Sequence, residues 1–350
     1  MSNVTLVPSD RVNGDLGVVN AARVSFAKER DEVLLHGDPR IPAGEKGDDR
    51  LIAYLASHGH WSPLAHPTFV FCAHLDVPTL IRFATLKPAG VRLIPLEREG
   101  ERAFHYIAGS LYGLVKACEE IFVGMLQARI LAEITRFAPI TAEALGVKAS
   151  STIWTHSTVT REEDVLGAVR AFNPFALHGV FRTFRIKAPV FVARQLGKHQ
   201  VDLVWNEVSR RYVDFTPEFH TPAEWRKRAS NKKQGSTDET VQDLGFRGFG
   251  RATPEDDYER LCTHSLDLYN EMIEFEVCPE QARMVLPQSM MTEWWWTGSI
   301  AAFARVVNQR THEGAQKETK EVAEAIDSAL GQDLGQVWSL ARTWEGLSHE

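Results

Sequence analysis

Cysteine is scarce. Cys72, Cys118, Cys262 and Cys278 are the four in 350 residues, with no Cys-x-x-Cys pair and no close ladder of histidines. That argues against a disulfide framework and against a metal site, and it fits a reducing, cytoplasmic setting. All four stand in apolar stretches and are expected in the core, with no nucleophilic task. No stretch approaches the roughly 18 to 20 apolar residues that a membrane span requires. The first fifteen residues, MSNVTLVPSDRVNGD, also lack the basic and apolar regions of an export signal. Nor is there an excess of positive charge: 39 basic against 46 acidic residues leave a net charge of −7. Duplex nucleic acid is therefore not an expected partner, and an anionic ligand has to be held by a local group of arginines.

What is present, 44% apolar and 24% charged residues, suits a folded chain with one large core or two ordinary ones. A helix is expected over 18–26, a polar loop over 27–47 and a helix over 48–58 that stops at Gly59. Residues 67–75, PTFVFCAHL, have the composition of a strand, and 76–84 open a helix with Pro78 in its first turn. A similar order, from a His through an aromatic strand to a Pro, links His66 to Pro78 and His178 to Pro189 as a weak internal echo. Between them, 108–137 keeps a helical period. After Tyr212 a polar, basic stretch reads as a long surface loop whose basic run, 226–233, has no catalytic part. Helices are expected over 254–276, 279–286, 294–310 and 313–330. The run Trp294, Trp295, Trp296 is expected to pack in the core or between subunits, with stacking on a ligand ring as the lesser alternative.

The densest polar cluster, RQLGKHQVDLVWNEVSRRY over 194–212, holds several arginines with a Lys, a His and a Ser. Guanidinium forks match phosphate oxygens, so this is a candidate anion site; a solvated surface helix is the plain alternative. Six blocks in a fixed order go further: AARVSF at 21–26, LIAYLASHGHWSPLAH at 51–66, FRIKAPVFVARQ at 184–195, NEVSRRY at 206–212, ARMVLP at 282–287, and Arg310 with AQKE at 315–318. Together they closely resemble the flavin-dependent thymidylate synthases. The resemblance implies an α+β core over 1–72 and 184–350, with 73–183 as a mostly helical inserted subdomain.

It also implies a homotetramer whose active sites lie between subunits. FAD relays a hydride, methylenetetrahydrofolate supplies the carbon, NADPH reduces the flavin, and dUMP becomes dTMP. By this resemblance Gln195, Glu207, Ser209, Arg211 and Arg283 bind the nucleotide, and Arg310 is catalytic, contacting the pyrimidine and favouring its ionisation at N3. A fixed cation beside a developing uracil anion stabilises it. Ser62, Asn206 and Glu207 match flavin- or nucleotide-contacting positions, and His60 matches a histidine near the folate pocket. A histidine after a glycine at a helix end also suits a capping or buried role.

On the flavin side the chain departs from the family. Lys198-His199-Gln200 stands where Arg-His-Arg is usual, and Lys cannot reproduce the planar fork of Arg. Ser299 and Ala301 replace an Asn and an Arg that the family places near the flavin, with Arg305 available to restore part of the contact. Three readings follow. The first is flavin-dependent C5 methylation of dUMP. The second is a relative that makes a 5-hydroxymethyl pyrimidine nucleotide from dUMP or dCMP. The third is a non-catalytic relative that binds a nucleotide or partner through its insertion.

Overall fold

The computed structural model of the protein describes residues 2–99, 102–148, 159–213, 215–230, 236–241 and 253–347. In chain order the strands are β1 (Asn3–Leu6), β2 (Thr68–His74), β3 (Val91–Glu99), β4 (Arg102–Ser110) and β5 (Phe181–Pro189). Then come β6 (Leu203–Glu207), β7 (Arg226–Arg228), β8 (Ser236–Thr240) and β9 (Met291–Ser299). Helices α1 (Ser9–Val12), α2 (Gly14–Arg23), α3 (Asp48–Ser57) and α4 (Trp61–Leu64) precede β2. Between β2 and β5 lie α5 (Val77–Leu86), α6 (Leu111–Glu120), α7 (Gly124–Phe137), α8 (Pro139–Ala144) and α9 (Glu162–Arg170). The remainder are α10 (Val190–Leu196), α11 (Pro254–Glu274), α12 (Pro279–Ala282), α13 (Ile300–Thr311), α14 (Lys317–Leu334) and α15 (Gln336–Leu347). Among the described residues no helix is long and apolar enough to cross a membrane.

The main sheet has the order β1-β5-β9-β6, with antiparallel pairing throughout. Its inner strand β9 carries the three tryptophans, all fully buried. Because side chains alternate along a strand, Trp294 and Trp296 face one core while Trp295 faces another with Val12, Ala21 and Val24. Trp294 stacks on Trp205 at 4.3 Å, and Trp296 meets Phe303 edge-on at 5.5 Å. The expected packing role holds, but the expected helix over 294–310 does not. A strand runs to Ser299, whose hydroxyl then accepts a hydrogen bond from the Ala302 N–H and so starts α13.

The stretch between β2 and β5 is rich in helices, and it also supplies β3 and β4 to a second sheet ordered β2-β4-β3. The helical reading of 108–137 misses that 108–110 end β4. Phe69 and Phe71 of β2 share a core with Leu111, Leu114, Phe122, Ile130 and Ile134 of the following helices. The echo of strand and Pro-led helix is real locally: β2 leads to α5, capped by Asp76, and β5 leads to α10 behind Pro189. Inside the expected loop after Tyr212, β7 and β8 pair as a small hairpin; its residues 231–235 and 242–252 lie outside the described residues. Cys118 and Cys262 are buried as expected. Cys72 and Cys278 are exposed, because one sits on the outer face of β2 and the other caps α12.

One buried carboxylate joins the two parts of the fold. Asp15, in the first turn of α2, accepts from the backbone N–H groups of Ile140 (3.0 Å) and Thr141 (2.8 Å) and from the Thr141 hydroxyl (2.6 Å). It caps α8 from across the chain, satisfying donors that a helix start leaves open. Asp15→Ala strands those donors and is expected to lower stability by about 2 to 3 kcal/mol, read as a lower urea midpoint.

Candidate active site

Three helices meet at one corner. Pro189 ends β5 and starts α10, which carries Gln195 in its last turn. The Ser299 cap aims α13 so that Arg310 falls in its last turn, beside the short connection from α10 to β6. There Arg310 Nε donates to His199 Nε2 at 3.0 Å, and Arg310 Nη2 donates to the Gln195 carbonyl oxygen at 3.2 Å. The first residues of α14 complete the corner: the Thr319 hydroxyl donates to Gln195 Oε1 at 3.2 Å, and the Gln195 amide donates to Gln316 Oε1.

An imidazole nitrogen that accepts from a guanidinium carries no proton, so His199 is neutral in this arrangement. Burial, then the nearby charges of Arg310 and Arg305, push its pKa down to about 4. Arg305 lies on the same side, donating to the Val201 carbonyl oxygen at 3.2 Å. Lys198 and Gln200 flank His199 and are exposed.

Behind this connection, a buried chain of hydrogen bonds crosses the main sheet. His66 Nε2 donates to Asn206 Oδ1 (3.1 Å), and His66 Nδ1 accepts from the Thr297 hydroxyl (2.6 Å), which in turn meets that of Thr183 (2.6 Å). His66 is fully buried, and its desolvation drives its pKa down to about 4. The Glu207 carboxylate accepts from Thr292 (2.7 Å) and from the Trp205 indole (3.1 Å). Asn206, Glu207 and the buried cap Ser299 are thus engaged in holding up the site, with Ser299 only 1% exposed.

Ser209, Arg211 and Arg283 gather elsewhere. The Ser209 hydroxyl accepts from the Arg211 backbone N–H at 3.3 Å, and Arg211 pairs with Glu280 of α12 at 2.6 Å. Arg283 is exposed on the single turn of 3-10 helix over Arg283–Val285, which packs on α11 and α12. Gln195 and Arg310 instead belong to α10 and α13, and α14 packs against both helices. His60 precedes α4, exposed, with its ring edge-on to Tyr54 at 5.6 Å; its side chain makes no capping bond. Ser62 is half-buried in α4.

Beside Gln200 opens a cavity of about 540 Å³, walled by Ala108, Gly109 and Gly113 on one side and by Leu203, Val204 and Gly298 on the other. His66, Thr297, Gln316, Thr319 and Asp202 escape a sequence reading as site residues. The one signal was the echo, since both of its histidines, His66 and His178, bond to β6 or to the residue just before it. Among the described residues no His, Cys, Asp and Glu cluster could hold a metal ion.

Residues 9–82 and 173–333 match the family model described as thymidylate synthase complementing protein. The flavin-dependent thymidylate synthase of Aquifex aeolicus (strain VF5) is 32% identical over 334 residues, covering 91% of this chain and 95% of the relative. That of Thermosipho africanus (strain TCF52B) is 34% identical over 151 residues, 43% of this chain and 62% of the relative. The crystal structure of the UMP/dUMP methylase PolB from Streptomyces cacaoi, bound with 5-Br UMP, is 23% identical with a TM-score of 0.41, covering 53% of this chain and 82% of that one. The protein is an enzyme of the methyltransferase class. It belongs to the flavin-dependent thymidylate synthase family.

Two titrations test these environments. In NMR spectra the His199 ring is expected to stay neutral down to about pH 4, and Arg310→Gln to raise its pKa towards 6.5, since removing a neighbouring cation favours the imidazolium. His66 has a folded pKa below its unfolded value, so the unfolded chain binds more protons between them. Its neutral burial stabilises fully above pH 6.5 and is lost as pH falls towards 4, by about 3 kcal/mol. His66→Asn should lower Tm at pH 7.5 yet flatten the decline of Tm between pH 7 and pH 4.5.

Proposed function

We propose that this enzyme methylates C5 of dUMP to give dTMP, with methylenetetrahydrofolate as carbon donor and FAD reduced by NADPH as cofactor. The observation that carries the reading is the Gln195–His199–Arg310 corner. Two of its hydrogen bonds fix the Arg310 guanidinium, and the imidazole it meets is neutral, so a preorganised cation faces the ligand without reorganisation cost. Beside a pyrimidine, that cation stabilises negative charge developing at N3 and O4, which raises electron density at C5. Ser209, Arg211 and Arg283 suit the phosphate. Arg211 would exchange its exposed partner Glu280 for the ligand, and an exposed ion pair costs little to break. Because these three sit on elements apart from Arg310, the reading calls for a second protomer to complete each site, as in a homotetramer.

For the flavin, Lys198, His199, Gln200 and Arg305 supply cations and hydrogen-bonding groups around one loop. The neighbouring apolar cavity is of a size that suits a ring system. Ser62 lies one residue beyond Trp61, which lines that cavity, while Asn206, Glu207 and Ser299 support the loop from behind. Bound FAD supplies hydride chemistry there, and His60 would face the folate. The experiment is tritium release from dUMP labelled at C5, with methylenetetrahydrofolate, FAD and NADPH present. Release is expected, with loss of about a hundredfold in rate for Arg310→Ala. No release from folded protein overturns the reading. A product mass corresponding to hydroxymethyl, from dUMP or dCMP, replaces it with the water-captured alternative.

A further inference from the structure

Asp202 ends the loop that begins at Lys198, and it holds an unusual backbone. Its φ is +60°, in the left-handed region that a residue with a Cβ enters at a cost. The surroundings over-determine it. Arg92, on β3 of the segment between β2 and β5, places Nε at 2.9 Å and Nη2 at 2.5 Å from Asp202 Oδ1. His178 Nδ1 bonds Oδ2 at 2.9 Å. The Ser299 N–H donates to the Asp202 carbonyl oxygen at 3.4 Å. A Cβ on Gly298 would come within 2.7 Å of that oxygen, so only glycine lets β9 pass so close. Arg305 stands 4.0 Å from the carboxylate.

We propose that Arg92 is a positioning residue: through Asp202, and together with His178, it fixes the 198–202 loop and so lets the inserted segment set the geometry of the flavin-facing side chains. The consequence for the flavin rests on the functional reading above; the tether itself does not. An ion pair between exposed groups would contribute little, and Arg92 is half exposed, but Asp202 is only 11% exposed at its side chain. Removing one of its two donors leaves a buried carboxylate under-bonded, which a surface pair never does. Against the upward push of burial, hydrogen bonds from His178 and Arg92 hold that carboxyl at about 2, so it stays ionised at neutral pH. The same three side chains, Arg92, His178 and Asp202, line the cavity beside Gln200, so movement of the loop changes the cavity wall.

The test compares Arg92→Ala, Arg92→Lys and, as a control in the same segment, Arg161→Ala, whose pair with Asp164 is exposed. Hydrogen exchange of the 199–203 amides is measured on the full chain without cofactor. Exchange is expected to quicken about three- to tenfold in Arg92→Ala, partly recover in Arg92→Lys and stay unaltered in Arg161→Ala. Titration with FAD should then show affinity weakened by a similar factor in Arg92→Ala. Unaltered exchange, or a rise spread evenly over the chain, overturns the tether. Faster local exchange with unaltered FAD affinity overturns its link to the active site. A wild-type chain that binds no FAD defeats the functional reading and likewise the link, while the exchange result still decides the tether.

Discussion

The candidate site depends on a strand in which every residue but Glu293 is buried. β9 sits between β5 and β6, and its tryptophans fill the spaces on both sides of the sheet. Burying rings of that size is among the larger favourable terms a side chain can contribute, and their volumes leave little freedom in register. Once that register is set, Trp205, Asn206 and Glu207 of β6 lie opposite Trp296, Trp295 and Trp294. The end of the strand then delivers Ser299 to cap α13. The position of Arg310, nearly three helical turns on, is inherited from the packing of indoles.

Electrostatics at the corner follow the same economy. His199 lies between two arginines in a partly dry environment, and the arrangement keeps the imidazole neutral while both cations remain. Where the family usually has two more guanidinium groups, this chain has Lys198 and Gln200, and the charge nearest His199 comes instead from α13. One cation of the triplet is lost, since Lys198 keeps its charge and Gln200 has none, and the charge of Arg305 acts on His199 from α13.

Much of this was legible in the sequence and some was not, for physical reasons. Helices α3, α5, α11 and α14 announced themselves by period and caps, and β2 by its β-branched and aromatic run. β9 read as a helix from Trp294 on because three adjacent indoles carry no period: a strand buried on both faces and a buried helix look alike locally. β3 and β4 were missed in a stretch read through its helical portion. At the site, the blocks around Gln195, Ser209 and Arg310 could be found from their order. The partners that orient them could not, since Gln195 and Thr319 are 124 residues apart and meet only through the fold. Asn206 and Ser299 carried a legible position but not a legible occupation, because the structure has already engaged their polar atoms.

The Asp15 cap on α8 gives the additional segment a standing that its place in the chain conceals. A module that merely plugs into a surface loop can be trimmed away with its neighbours left intact. Here a helix of that segment takes its first hydrogen bonds from the opening turns of the chain, so an engineer who excised it would strip the Asp15 carboxylate of the three donors it now meets. These bonds tie α2 to α8, and any attempt to build a version of this enzyme without the segment between β2 and β5 has to redesign α2 as well.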